Sequence, residues 1–301
     1  MDNLELTSFS TNDDYSGYLK NAKGIVISKT GGCLYHHICE MVQILINLCD
    51  KKLDIPIYTN KIHINRLYES FTTNQVLPFK DSPEDNLIII KNDGSGYPLI
   101  ENLKKIREYF YNLFPIKSPP KDIIIVVRTH YRIIDNIESL KNIVKNIFDI
   151  EPIFIIPENI TFEEQVKIFQ NAKLVIAAHG AALTNTLFMQ ENTSVLELYP
   201  PLNEDLCYIR YISAIDKNIN HVKQYHEIEP ENMSKYPEDL NQYLNIHRSR
   251  TSNPERAKFI QRGIMDCLFT DKNFKVDERV FEENLKNIKN SIDNQIELLY
   301  D

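Results

Sequence analysis

Apolar residues recur along this chain in two alternating rhythms. Short, mostly apolar runs at 24–28, 55–58, 87–91, 122–127, 152–156, 173–177 and 194–198 predict buried strands. Between them apolar positions return every three or four residues, the spacing of a helix with one buried face. Ile38, Met41, Val42, Leu45 and Leu48 set that spacing in a helix over 33–49. A second helix starts near Pro98, a favoured first-turn residue, and ends near Phe114, ahead of Pro115, Pro119 and Pro120. Further helices are predicted over 137–147, 161–170 and 181–188. Thr161 and Glu164 form a capping pattern that supports the middle one. Val280, Leu285, Ile288, Ile292 and Ile296 lie near one stripe of a long amphipathic helix from Asp277 to Leu299. Residues 199–262 are mixed and proline-punctuated and predict no firm element.

Strands alternating with helices predict an α/β protein built on parallel sheet, with Rossmann-like halves. At 301 residues the chain exceeds one typical domain. The proline-bearing segment after Phe114 is the expected divider, which gives an N-terminal Rossmann-like domain over 1–118, shorter than its partner. A C-terminal Rossmann-like domain follows over 119–275, and a helix over 276–301 packs on them.

Composition narrows the function classes. Hydrophobic content of 43% with 25% charged residues is globular, and the net charge of −8 without a long basic run argues against nucleic-acid binding. Five cysteines without a paired Cys-x-x-Cys arrangement argue against a disulfide framework. No apolar run is long enough to span a membrane, and the polar, acidic stretch from Met1 to Ser16 does not read as a signal peptide. The expected setting is the cytoplasm.

The chemistry concentrates where strand 173–177 ends. After Ala177-Ala178 come His179 and Gly180, then Ala181, Ala182, Leu183, Thr184 and Asn185 open the next helix. This order brings a histidine and the first amides of a helix to the carboxyl end of a strand, where open α/β sheets bind ligands. Glu197 stands in the following apolar strand, where a carboxylate needs a partner. It is the candidate for ribose hydroxyls, with an internal salt bridge as the alternative. Strand 122–127 ends in Arg128, with Arg132 shortly after, and guanidinium forks suit phosphate oxygens. Near the N-terminus Gly32-Cys33-Leu34-Tyr35-His36-His37-Ile38-Cys39-Glu40 places His36 and Glu40 four apart on one helix face. Glu40 in that position raises the basicity of His36, and an ordinary surface pair is the alternative. Cys33, His36 and Cys39 also have a metal-like spacing, but a fourth ligand is missing. The loop Asp93 to Gly96 lacks a glycine fingerprint and reads as a turn.

The run from His179 through Met189, followed by Val195-Leu196-Glu197-Leu198, resembles the signature of glycosyltransferase family 61: His-Gly-Ala-Gly-Leu-Thr-Asn, Phe-Met, then a Glu-bearing strand. Ala182 stands where that family has Gly. The segment Arg128 to Asn136 is similar to its arginine-rich segment, with Asp135 in the place of an Asn. The block around His36 and Glu40 is similar to its aromatic-His-x-x-x-acid block. The resemblance implies two Rossmann-like domains facing a cleft (GT-B type) and an inverting transfer from a nucleotide sugar to a glycan or glycoprotein acceptor. Arg128, Arg132, His179, Gly180, Ala181, Thr184, Asn185 and Glu197 then fall on the donor side, and His36 with Glu40 supplies the base. No Asp-x-Asp element is placed to hold a divalent cation, so no metal and no cofactor are expected. The alternatives are a non-catalytic sugar-nucleotide-binding protein on the same fold and a nicotinamide-dependent oxidoreductase. The missing glycine fingerprint counts against the latter.

Overall fold

A computed structural model describes residues 3–6, 16–27, 34–48, 52–59, 65–91, 100–130, 132–200, 207–216, 218–226 and 273–300. The protein is α/β, with two five-stranded sheets whose strand pairs are all parallel. This is consistent with a GT-B-like pair of Rossmann arrangements.

The first sheet contains β1 (Leu4–Leu6), β2 (Gly24–Ile27), β3 (Ile57–Thr59), β4 (Val76–Pro78) and β5 (Leu87–Ile90), in the order β1-β5-β2-β3-β4. The second contains β6 (Asp122–Val126), β7 (Ile153–Ile155), β8 (Ala172–Ala178), β9 (Ser194–Tyr199) and β10 (Asn220–Tyr225), in the order β10-β9-β8-β6-β7. From β6 the chain moves outward to β7, then returns to β8 on the other side of β6. Strand order therefore reverses between β6 and β8, and a crevice opens at their carboxyl ends. The corresponding reversal in the first sheet lies between β2 and β5. The Asp93 to Gly96 loop that follows β5 lies outside the described residues.

Strand alternation divides the second sheet between two cores. Ile124, Val126, Val175, Ala177 and Val195 pack in the same apolar cluster as Ile25, Ile88 and other residues of the N-terminal half. Ile123, Ile125, Leu174, Ile176, Leu196 and Leu198 face the other way. There they meet Leu140 and Val144 of the helix Ile137–Phe148, and Phe281, Leu285, Ile288 and Ile292 of the long helix Glu278–Tyr300. Phe281 takes the buried position expected of Val280, which is only half-buried. Asn136 holds that helix in place, donating to Val276 O (3.0 Å) and to a carboxylate oxygen of Glu278 (2.8 Å) and accepting from Val276 N (2.9 Å).

The helix Ile100–Leu113 lies between the halves. Its Phe110 ring contacts those of Phe71, Phe162 and Phe188, within 5.2–5.7 Å of each centroid. Its Arg107 donates to Tyr111 Oη (3.1 Å) and Met189 O (2.5 Å), and pairs with Asp216 at 3.5 Å.

Thr161 caps the helix Phe162–Asn171 with both bonds of a capping box, as its spacing predicts. Other elements differ from expectation. The helix over 33–49 is α only at Leu34–His36 and Gln43–Leu48, and between them His37–Val42 is π-helical. Such insertions are rare and often accompany functional sites. The segment Ala181–Phe188 is a 3-10 helix rather than α. Leu183 N bonds Gly180 O at 2.9 Å and Met189 N bonds Thr186 O at 3.1 Å, both at the three-residue spacing of the tighter helix. The unassigned stretch after residue 199 contains a helix, Cys207–Ile215, and strand β10. Among the described residues no helix is long and apolar enough to cross a membrane.

Phe110→Ala is expected to destabilise the protein by about 3–5 kcal/mol, because the removed ring leaves a cavity between aromatic neighbours from both halves. Urea denaturation checks this, and an unchanged midpoint would show that the ring cluster is dispensable.

Candidate active site

The crevice at the β6–β8 reversal is built from the ends of those two strands. β8 is apolar to its last residue, and His179 N continues the ladder by bonding Leu198 O at 2.9 Å. The backbone of the next residue passes directly under Arg128, which follows the end of β6. A side chain at Gly180 would collide with Nη1 of Arg128, with Cζ 3.3 Å from the same Cβ and Nη1 of Arg132 at 3.5 Å. Glycine at 180 suits both this close approach and its own backbone, at φ 158° and ψ 177°, which side chains rarely adopt. Arg132, in a left-handed conformation at φ 57°, donates from Nη1 to His179 O at 2.7 Å. The two arginines therefore stand over the turn from β8 into the 3-10 helix that opens at Ala181.

A polar chain runs sideways from this turn. His179 Nδ1 lies 2.6 Å from Glu197 Oε1, and His221 Nε2 lies 2.8 Å from Glu197 Oε2. Tyr199 Oη donates to the same Oε2 at 3.1 Å. Glu197 is fully buried. Burial raises the pKa of its carboxyl, but hydrogen bonds from His179 and His221 outweigh that penalty and hold it below the ordinary glutamate value. Burial, followed by the nearby Glu197 charge and the hydrogen bond to it, pushes Tyr199 far up, so its hydroxyl stays protonated and donates.

Thr184 and Asn185 are fully buried beneath the turn. Asn185 Nδ2 donates to Gln165 Oε1 at 2.9 Å, and Tyr211 Oη donates to Thr184 O at 2.9 Å. Thr184 Oγ1 and Asn185 Oδ1 have no hydrogen-bond partner among the described residues. His36 is half-buried and its ring meets Tyr35 edge-on at 5.5 Å. The side chain of Glu40 and all of Cys33 lie outside the described residues, so the His36–Glu40 pairing lies there too. Neighbouring His37 is buried, with Nδ1 2.7 Å from Tyr68 Oη. Burial raises the Tyr68 pKa well above its ordinary value, so the phenol stays protonated.

Aromatic rings connect the two halves at this seam. Tyr35 contacts Tyr208 edge-on at 5.4 Å, and Tyr208 contacts His179 in the same manner at 5.3 Å. The structure thus gathers Arg128, Arg132, His179, Gly180, Ala181 and Glu197 around one strand turn, and two tyrosine rings separate His36 from His179. Sequence reasoning missed His221, Tyr199 and Tyr208. His221 lies in a polar edge strand without an apolar pattern, and only the register of β10 on β9 brings it to Glu197.

A cleft of about 1010 Å³ lined by Lys104, Arg107, Glu191, Asp216 and Asn218 lies at the opposite edge of the second sheet, before β9 and β10 begin. Arg107 is already occupied there by Asp216, Tyr111 and the Met189 carbonyl. Among the described residues, no group of three or more His, Cys, Asp or Glu side chains is placed to hold a metal ion.

The sequence model of the family glycosyltransferase 61 matches residues 22–196, more than half of the chain. The chain belongs to glycosyltransferase family 61. The match spans the π-helical block, Arg128, Arg132, the His179–Asn185 turn and the start of β9, and it stops one residue before Glu197. A search of curated proteins finds no match. As a member of glycosyltransferase family 61 the protein transfers a sugar from a donor to an acceptor.

Two outcomes follow from this geometry. Gly180→Ala is expected to lower transfer on the order of 10²-fold by moving the Arg128 head by about 1 Å. Folding stability should fall as well, by about 1–3 kcal/mol, because Gly180 stands at φ 158°, a backbone conformation that side chains rarely adopt, so the rate is measured on protein shown to be folded. A wild-type rate in this variant would remove Arg128 from the reaction. The Glu197 pKa is lower folded than unfolded, so its stabilisation is complete above the ordinary value of 4.5 and fades as pH falls through the lowered one. The stability gap between wild type and Glu197→Gln should therefore narrow in acid, as measured by urea denaturation. A gap that stays constant below pH 4.5 would contradict ionisation of the buried carboxylate.

Proposed function

We propose that the protein transfers a sugar from a nucleotide sugar to a hydroxyl of a glycan or glycoprotein acceptor, with inversion and without a metal ion. The observation that carries this reading is the approach of Arg128 to Gly180 at the strand-order reversal. It sets a guanidinium fork, a second arginine and the opening of a helix around one point at the carboxyl edge of the sheet. A diphosphate is the group that such an arrangement suits: it accepts bidentate bonds from Arg and the first amides of the helix at Ala181.

In this reading Arg128 takes the diphosphate oxygens. Arg132 divides its donors between the ligand and the His179 carbonyl, which fixes the turn. Positive charge held there offsets the negative charge that develops on the departing nucleoside diphosphate, the work a divalent cation performs elsewhere. Buried Thr184 and Asn185 support the floor of the turn, their unpartnered oxygens lying beneath it. The acceptor approaches from the N-terminal half, across the seam of Tyr35 and Tyr208. A cytoplasmic setting accords with this reading.

The test is a thermal-shift screen against UDP, GDP, ADP, dTDP and CMP and their sugar conjugates, with EDTA present throughout. A ligand that binds only the native state raises the melting temperature. The expected result is stabilisation by one nucleotide class in EDTA. Arg128→Ala should weaken that binding by about tenfold or more, the value of a hydrogen bond to a charged group being roughly 1.5–3 kcal/mol. Unchanged affinity in the variant would exclude the phosphate assignment, and stabilisation only after adding Mn²⁺ would exclude metal independence.

A further inference from the structure

We infer that His179 is the general base of the transfer, with Glu197 as the positioning residue that leaves the imidazole Nε2 open to the acceptor hydroxyl. This rests on the nucleotide-sugar reading above and extends it to the proton that reading leaves unassigned.

The argument starts from the carboxylate. Glu197 accepts from His179, His221 and Tyr199 and has no exposed surface. Both oxygens are therefore spoken for, which leaves it poorly placed to meet ribose hydroxyls. An ionised carboxylate only accepts, so the proton between it and His179 sits on Nδ1. Neutral His179 then carries its lone pair on Nε2, the tautomer a base requires. Nε2 has no hydrogen-bond partner among the described residues. The imidazole is thus held through Nδ1, and its side chain keeps a small exposed surface, 7%.

The surroundings suit the same task. Tyr199 and Tyr208 hold the ring from two sides at 5.2 and 5.3 Å. Glu197, His221 and Tyr199 come from the sheet, and Tyr208 from the helix Cys207–Ile215. Arg132 binds the carbonyl of His179 itself, and Arg128 stands over the next residue. Base and phosphate clamp are thus adjacent in the chain yet directed by different partners.

The step balances without a co-reactant. His179 Nε2 takes the hydroxyl proton, and the oxygen lone pair forms the bond to the anomeric carbon. The bond from that carbon to the diphosphate oxygen breaks, its electron pair leaving with the nucleoside diphosphate. The imidazolium is stabilised by Glu197 and later gives its proton to water.

The experiment uses the full chain and the nucleotide sugar that stabilises wild type, following release of nucleoside diphosphate and its binding by calorimetry. His179→Ala should lower kcat by about 10²–10⁴-fold with nucleoside diphosphate affinity retained. Added imidazole should restore turnover in that variant, tracking the free-base form, which a purely structural histidine would not allow. Glu197→Gln should lower kcat rather than raise KM, because an amide N–H presented to Nδ1 moves the proton to Nε2. Retained nucleotide binding certifies that each variant is folded. A wild-type kcat in His179→Ala, or lost turnover in a folded variant that imidazole never restores, would overturn the assignment. Normal turnover in His179→Ala with loss in His36→Ala would move the role to His36. If wild type releases no nucleoside diphosphate from any sugar that it binds, the donor reading falls and this assignment with it.

Discussion

A buried carboxylate cannot stay charged without partners, and the carboxyl edge of the second sheet is organised around meeting that demand at Glu197. Removing an ionised group from water costs several kcal/mol even after relaxation. Here the cost is offset by two imidazoles and a phenol, from the residue that follows β8 and from β9 and β10. The three strands must therefore hold their register for the carboxylate to be tolerated, and they do so through parallel pairs that place Ala177 beside Glu197 and Glu197 beside Lys223. A slip of one residue would turn Glu197 to the opposite face of the sheet, into the cluster of Leu196, Leu198 and Phe281. Electrostatics and packing thus fix the same alignment.

From that alignment the phosphate side follows. His179 continues the β8 ladder, which fixes where the chain turns. The turn brings Gly180 under Arg128, and Arg132 ties its own loop to the His179 carbonyl. The order of strands makes this possible, because only at the reversal do the loops after β6 and β8 diverge and leave room between them. The N-terminal half is coupled to the site by rings rather than charges. Tyr35 leans on Tyr208, and Phe110 fills the junction between Phe71, Phe162 and Phe188.

Most elements were legible as patterns. β6 and β8 are apolar enough to be buried on both faces, and the Thr161 capping box marks its helix start. The elements that escaped notice lack such a pattern. β1 and β4 are three-residue edge strands, and β10, with Asn220, His221, Lys223 and Gln224, is mostly polar because it lies at the sheet edge. Its buried Gln224 is satisfied by Asp277 O and Asn284, contacts far apart in sequence. The π-helical turn at His37–Val42 and the 3-10 helix at Ala181–Phe188 were read as ordinary α-helix, since apolar spacing over six or eight residues does not resolve helices of different pitch.

The sequence by itself determined the parallel α/β class, the family signature at His179–Asn185 and the need of Glu197 for a partner. These are local properties, written in the order of apolar, small and charged residues along one stretch of chain. Only the tertiary structure decided which partner Glu197 takes, that Gly180 lies beneath Arg128, and that His221 completes the chain from another strand. Those facts depend on strand order and register. They are set by burial of both sheet faces and by hydrogen bonding between segments that no local pattern relates.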